Sequence, residues 1–390
     1  LPKDDARVTF IYETLQKMRD RLQNDHTSSL ALFYGKPIDI WKQILKDYEV
    51  KEVYTNRDYE PYAKKRDEEI SSLFEEKDID FKTFKDQVIF EKDDVVKGGG
   101  EPYIVYTPYK NKWLETFNED NDLKIHYTSQ HLSNLVENSR LPNLTLSEME
   151  FETSSLKVPD YDVTPTLIDN YEDTRNFPGQ DGTSRLGPHL RFGTVSVRKM
   201  VKKALAENNQ VFWTELVWRE FFMQILYHYP ETVNNAFRKK YDRIDWRNNE
   251  EEFEKWKTGT TGFLLVDAGM RELNTTGYMH NRVRMLTASF LCKHLLIDWR
   301  WGETYFAEKL LDYEQASNVG NWQWAAGSGV DAAPYFRIFN PMTQVDKFDK
   351  ERKYIEKFIP EYDTSEYPEK MVDHKEARER CLKTYKQALS

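Results

Sequence analysis

Three short stretches carry the side chains best suited to chemistry. In TELVWREF, Glu215 lies three residues before Trp218 and four before Arg219, so a helix presents all three on one face. A carboxylate, an indole and a guanidinium in an apolar helix cost free energy unless something satisfies them. The plain reading is a Glu215–Arg219 ion pair beside a core tryptophan; the sharper one is a pocket wall for a flat, polar ligand. In YMHNRVRM, Asn281 and Arg284 share a helical face, with Arg282 and Met285 on the adjacent one. Two arginines between apolar segments need polar or anionic partners, and Asp312 in KLLDYEQ suits Arg284. In DGTSRLGPHLRFG, Thr183 and Ser184 offer hydroxyls and backbone N–H donors near a helix start, which suits a diphosphate and equally suits plain capping.

A fourth stretch, NVGNWQWAAGSGVDAAPYFRIFNP (residues 318–341), sets Trp322 and Trp324 one residue apart in what its small, turn-forming residues predict to be a loop. Asn318 precedes them, and Asp331 and Arg337 follow. Of ten tryptophans, eight fall between Trp213 and Trp324. Core volume does not explain this crowding, because Leu and Phe fill space as well.

The totals bound what these residues can belong to. A chain of 390 residues is long enough for two or three domains. With 39% hydrophobic and 31% charged residues it reads as soluble and globular, and no apolar run approaches the ~20 residues of a spanning helix. The opening LPKDDAR is unlike a signal peptide; starting on Leu1 rather than Met suggests a missing N-terminal piece. Two distant cysteines, Cys292 and Cys381, indicate no disulfide framework, so a reducing cytoplasm is expected. Eight scattered histidines show no metal-ligand spacing. The net charge of −10 argues against a nucleic-acid partner. Yet Arg191–Ala204 holds Arg191, Arg198, Lys199, Lys202 and Lys203 with no acid, and Arg238–Arg243 is a second basic run. Either alone reads as a solvated helix face.

The elements that must position these groups divide the chain in two. Up to about residue 110, helical stretches (Val8–Leu22, Pro37–Tyr48, Pro61–Asp78) alternate with expected strands at Ser28–Gly35, Val50–Asn56 and within Asp80–Glu91. That alternation predicts a parallel, Rossmann-like α/β sheet, incomplete because it begins on a helix. Residues 111–165 turn rich in Asn, Ser, Thr, Glu and Pro and read as a connector. Residues 166–390 read as mostly α-helical, with a buried helix over Asn209–Tyr229, two helices broken around NTTG, and an exposed amphipathic helix at the end.

Taken together, WREFF, DGTSRL, GYMHNRVRMLTASFLCKHLLIDWRWGETYF and NWQWAAGSGVDAAPYFRIFNP resemble the photolyase/cryptochrome family. The match runs from about Tyr103 to the C-terminus and more loosely through the N-terminal domain. It is closest to the class I DNA photolyases, which repair cyclobutane pyrimidine dimers. The resemblance implies FAD held in the helical domain by Tyr171, Thr183, Ser184, Arg185, Leu186 and Arg219. Tyr278, Asn281, Arg284, Asp312, Glu314 and Asn318 complete that set, with the Arg284–Asp312 pair beside the isoalloxazine and Asn318 near its N5. It also implies an electron-transfer chain of Trp322, Trp299 and Trp246. Trp218 and Trp324 would line the pocket for the flipped dimer, Glu215 would hydrogen-bond it, and Asn281, Arg282 and Met285 would share that wall. Arg175 and Arg337 would hold DNA phosphates.

The implied activity is light-driven and redox-neutral: reduced FAD lends an electron to the dimer and receives it back. The implied partner is DNA containing pyrimidine dimers, with the protein a monomer, without membrane or protein partners, and with an antenna chromophore, folate or deazaflavin, in the N-terminal domain. Tyr278 stands where many relatives have Trp, and Glu314 where Asp is common. The alternative is a cryptochrome-type blue-light receptor without repair activity. A photolyase for (6-4) products would use a histidine pair where this helix reads His280-Asn281.

Overall fold

The computed structural model describes residues 1–207 and 209–390. The chain folds into two compact units, each assembled from separate segments. One comprises residues 1–89, 118–160 and 192–200; the other comprises 90–117, 161–191 and 201–390. The connector expected over 111–165 is shared out between them, its first residues joining the second unit and most of the remainder the first.

The first unit is α/β. Helix Ala6–His26 starts at Asp5, whose carboxylate accepts the Arg7 N–H, and ends at Thr27 in a left-handed conformation. Helix Pro37–Asp47 begins on proline, whose fixed φ suits that position. Strands β1 (Glu52–Asn56) and β2 (Asp80–Phe84) pair in parallel, Val53 opposite Phe81. Helix Pro61–Glu75 makes the crossover between them. Val53, Ile70, Leu73 and Phe74 form the core here, with Trp41 edge-on to Phe74 at 4.9 Å.

The strand expected at Ser28–Gly35 does not form: the stretch is irregular. Its polar groups are satisfied piecemeal instead. Leu32 N–H donates to the Pro142 carbonyl at 2.9 Å, and Ser28 Oγ to the Val136 carbonyl at 2.7 Å. The buried Arg19 guanidinium bonds the Leu30 carbonyl and, at 2.7 Å, that of Leu141. An apolar run specifies burial; a ladder also needs a partner strand.

The second unit is helical. Helix Gln210–His228 buries eleven of its residues, as its all-round apolar pattern predicts. Leu264–Thr276 stops at Gly277, φ 68°, which is the expected break. Asn281–Ser289 is capped by His280 and continues into a π-helical turn, Phe290–Leu295. Trp299–Lys309 is capped by Asp298, and the last helix, His374–Leu389, by Asp373.

The loop expected from Asn318 onward is helical as far as Ala326: Gln315–Ala326 forms a helix closed by Gly327 at φ 90°. Its glycine and asparagines read as turn formers, but Gly320 serves close packing. A Cβ there would lie 2.2 Å from Phe222 Cδ1. On a helix, Trp322 and Trp324 diverge by about 200°. Trp322 turns into the core at 2% exposure, while Trp324 stays half-buried. Gly302 of the neighbouring helix seats the Trp322 ring, since a Cβ would fall 2.1 Å from its Cη2. Gly302→Ala is therefore expected to lower the thermal midpoint through an overpacking cost of about 2 kcal/mol. An unchanged midpoint would show that the indole has room to move.

Candidate functional site

Four helices and one rim segment of the helical unit converge on a cavity of about 570 Å³, a volume typical of ligand sites. Arg175 comes from the end of helix Pro165–Thr174, and Glu215, Trp218 and Arg219 from the long buried helix. Asn281, Arg282 and Met285 come from the first turns of their helix. Trp324 closes one side and Arg337 sits on the rim segment beyond it. All eight residues expected to bind a lesion thus line one cavity. Ser317, Asn321, Phe222 and Asp331 line it as well.

The partners differ from the plain reading of the sequence. Glu215 pairs with Arg175 at 2.5 Å, not with Arg219. Arg219 pairs instead with the buried Glu314 at 3.0 Å. The Arg175 guanidinium also lies 5.1 Å from the Tyr171 ring centroid. Behind Trp218, Tyr106 stacks almost parallel, 3.5 Å between centroids and 9° between planes. The Tyr106 hydroxyl donates to the Thr214 carbonyl at 2.7 Å, so the indole has a fixed backing. Arg282 is held by Asn176 Oδ1 and lies 4.5 Å from the Phe348 ring centroid. Tyr106, Asn176 and Phe348 carry no local signal, since each meets its partner only through the fold.

A second hollow of about 100 Å³ adjoins the first, sharing Asn281, Met285, Ser317, Asn321 and Trp324. Arg284, Asp312, Glu314, Asn318 and Trp322 also line it. Arg284 grips Asp312 through two hydrogen bonds of 3.1 and 2.8 Å, as the sequence suggests. Gly187 allows this approach, for a Cβ there would lie 2.9 Å from Asp312 Oδ2. The Asn318 amide donates to Glu303 Oε1 at 2.9 Å and to the Glu303 carbonyl at 3.2 Å. With its NH₂ so engaged, Asn318 has its carbonyl oxygen to offer a ligand. Burial raises the Glu303 carboxyl above its ordinary range. Glu303 went unnoticed in the sequence because its partner lies on the next helix.

Six of the residues expected to hold FAD line neither hollow: Tyr171, Thr183, Ser184, Arg185, Leu186 and Tyr278. Tyr278 still reaches the wall, its ring 5.6 Å from the Arg284 guanidinium and its hydroxyl 3.2 Å from Thr183 Oγ1. Arg185 is exposed at φ 52° and pairs with Asp181. The helix expected beside Ser184 starts at Gly187 and spans five residues, so its dipole adds little there. From the basic run, Arg198 is bound to Asp86 at 3.1 Å and to the Lys85 carbonyl at 3.2 Å. Trp322 and Trp299 are each 2% exposed in one core, and Trp246 packs at its edge. Ring contacts join Trp322 to Phe306 (4.9 Å) and Trp256 (6.1 Å), and Trp246 to Tyr385 (6.0 Å). Among the described residues no ring contact joins Trp322 to Trp299.

The residues around the smaller hollow fit a flavin. They offer a charge pair, a locked amide and an apolar wall, while Arg282 Nε, on the larger cavity, and His280 Nε2, just before Asn281, are buried without a protein partner. His280 also caps its helix, Nδ1 accepting the Arg282 N–H at 3.2 Å. Burial, then the charges of Arg284, Arg282 and Arg175, hold its imidazole down at about 4. A histidine depressed in the fold takes up its proton more readily when unfolded. Its contribution to stability is therefore complete above about pH 6.5 and is lost as pH falls toward 4. His280→Asn keeps a cap without the titration. The variant is expected to gain stability relative to the parent by about 3 kcal/mol at most between pH 6.5 and 4. Parallel stability curves for the two proteins would contradict this.

Comparison with known proteins points to the same cofactor. Residues 212–366 match the model of the FAD binding domain of DNA photolyase, and residues 2–126 that of DNA photolyase. A deoxyribodipyrimidine photo-lyase of Halobacterium salinarum is 35% identical over 428 residues, spanning 98% of this chain and 88% of that protein. The crystal structure of a class III photolyase from Agrobacterium tumefaciens matches with a TM-score of 0.87 at 31% identity, over 99% of this chain and 89% of that one. A Synechocystis cryptochrome matches with a TM-score of 0.82 at 25% identity, over 98% and 89%. Likeness of this order, sustained through both the α/β and the helical parts, means that the chain belongs to the DNA photolyase family.

Proposed function

We propose that this protein repairs cyclobutane pyrimidine dimers in DNA with blue light, taking the flipped-out dimer into the larger cavity. One observation carries the reading: all eight expected lesion-binding residues line a cavity that shares a wall with the flavin-fitting hollow. Bound reduced FAD would supply, under light, the electron that opens the cyclobutane ring and is then returned.

The protein's own residues do the rest. Trp218 and Trp324 offer flat walls to two bases turned out of the stack, each worth ~1–3 kcal/mol of stacking. Glu215, steadied by Arg175, stands at the same wall to accept from the thymine imides and to steady the dimer as its charge changes. Arg337 and Arg175 meet phosphates beside the lesion, a contribution that weakens with salt. Arg284, Asp312 and Asn318 orient the flavin, and Trp322, Trp299 and Trp246 relay electrons inward to it. A folate or deazaflavin antenna in the α/β unit, a monomeric state and a cytoplasmic location complete the proposal.

The likeness to a cryptochrome keeps a second reading in view, light sensing without repair. The retained pair of cavity tryptophans favours repair. Reduced protein, a thymine-dimer oligonucleotide and blue light separate the two. Restored monomers support repair; flavin photochemistry with intact dimers supports the receptor.

A further inference from the structure

Lys293 is 2% exposed, a lysine buried in the helical unit with the buried Cys292 and Cys381 close by. It lies in the π-helical turn Phe290–Leu295 between the fully buried Cys292 and His294, at 1% exposure. Such turns often mark functional positions. Among the described residues no carboxylate pairs with it. Its Nζ donates to the carbonyl oxygen of Arg337 at 2.9 Å. A buried cation costs several kcal/mol that methionine would not, so packing alone does not call for lysine here.

The acceptor lies in the segment between Gly327 and Pro341, which delivers Asp331, Ala333 and Arg337 to the larger cavity. Other anchors hold its flanks: Arg238 N–H donates to the Ser328 carbonyl at 2.9 Å, and the Tyr335 ring stacks on Tyr385 at 5.7 Å. Asp331 N–H donates to the Ile104 carbonyl at 3.2 Å, and Arg337 N–H closes a turn on Pro334 at 2.8 Å. The Arg337 side chain is itself exposed, so its direction depends on where its backbone is held. Lys293 reaches that backbone from the buried π-helical turn.

We propose that Lys293 is a positioning residue for DNA binding: it pins the Arg337 backbone so that the guanidinium stands at the cavity rim, ready for a phosphate beside the lesion. This rests on the larger cavity being the lesion site. Lysine suits the task because its long stem crosses the core while its end donates whether or not it is charged.

The test is a double-mutant cycle with a thymine-dimer duplex. Lys293→Met and Arg337→Ala should each weaken binding by about tenfold, the size of a lost charge-assisted hydrogen bond. Together they should weaken it no more than Arg337→Ala alone. Flavin content and flavin photoreduction should match the parent, while backbone hydrogen exchange over 331–340 should quicken in Lys293→Met. Additive effects, or parent-like binding and exchange, would overturn the proposal. If Lys293→Met does not fold, Lys293→Gln, with a donor of shorter reach, is read by the same criteria. If the parent does not prefer damaged DNA, the lesion-site reading fails. Exchange over 331–340 then decides alone whether Lys293 holds this segment.

Discussion

Replacing Trp218 with alanine is expected to weaken binding of a thymine-dimer duplex by about 10- to 100-fold while leaving flavin content unchanged. Stacking is worth ~1–3 kcal/mol per base, and about 1.4 kcal/mol is a factor of ten. The indole is well prepared for that task, because Tyr106 already covers one face at 3.5 Å and Phe222 lies near it at 27°. Little ordering remains to be done on binding. Trp218→Phe keeps a smaller flat surface and should fall between. Affinity measured on damaged and undamaged duplexes checks this. Equal losses on both, or none on either, would mean that Trp218 belongs to the core and not to the lesion wall.

The second large effect is kinetic. Trp246→Phe is expected to slow flavin photoreduction well over tenfold, with repair by already reduced protein spared. Trp246 is partly exposed, whereas Trp299 and Trp322 are buried, so it is the end where an outside donor can act. A phenyl ring is harder to oxidise than an indole by far more than the roughly 59 mV that makes a tenfold change for one electron. Transient absorption under blue light reads the first effect, and dimer repair after chemical reduction reads the second. Since Trp322 touches Phe306 and Trp256 rather than Trp299, unchanged photoreduction in the variant would show that electrons enter by another path.

The sequence made side-chain types and helical faces legible, and hid the partners that only the fold supplies. The Arg284–Asp312 pair could be anticipated because two arginines in an apolar setting need an anion, and KLLDYEQ offered one in Asp312. The pairing of Glu215 could not: helical spacing offered Arg219, but Arg175 arrives from another helix and Glu314 claims Arg219. Gly320 and Gly302 read as turn residues or as nothing in particular, yet each makes room for an aromatic ring. Ser28–Gly35 shows the reverse failure, since its apolar run has no strand beside it: its Leu30 carbonyl goes to Arg19, its Leu32 N–H to Pro142 and its serine hydroxyls to the Val136 and Asn138 carbonyls. Tyr106 behind Trp218 left no trace in local pattern, although it holds one wall of the site.

A damaged nucleotide pair that seats against Trp218 and Trp324 would lie one wall away from reduced flavin. Fluorescence of the reduced flavin measures this directly, because a dimer that takes an electron quenches it. Quenching is expected from a thymine-dimer duplex, none from the same duplex undamaged, and dimers should convert to monomers in step with the light absorbed. A duplex shown to be bound, with the fluorescence undiminished and its dimers intact, would contradict this seating.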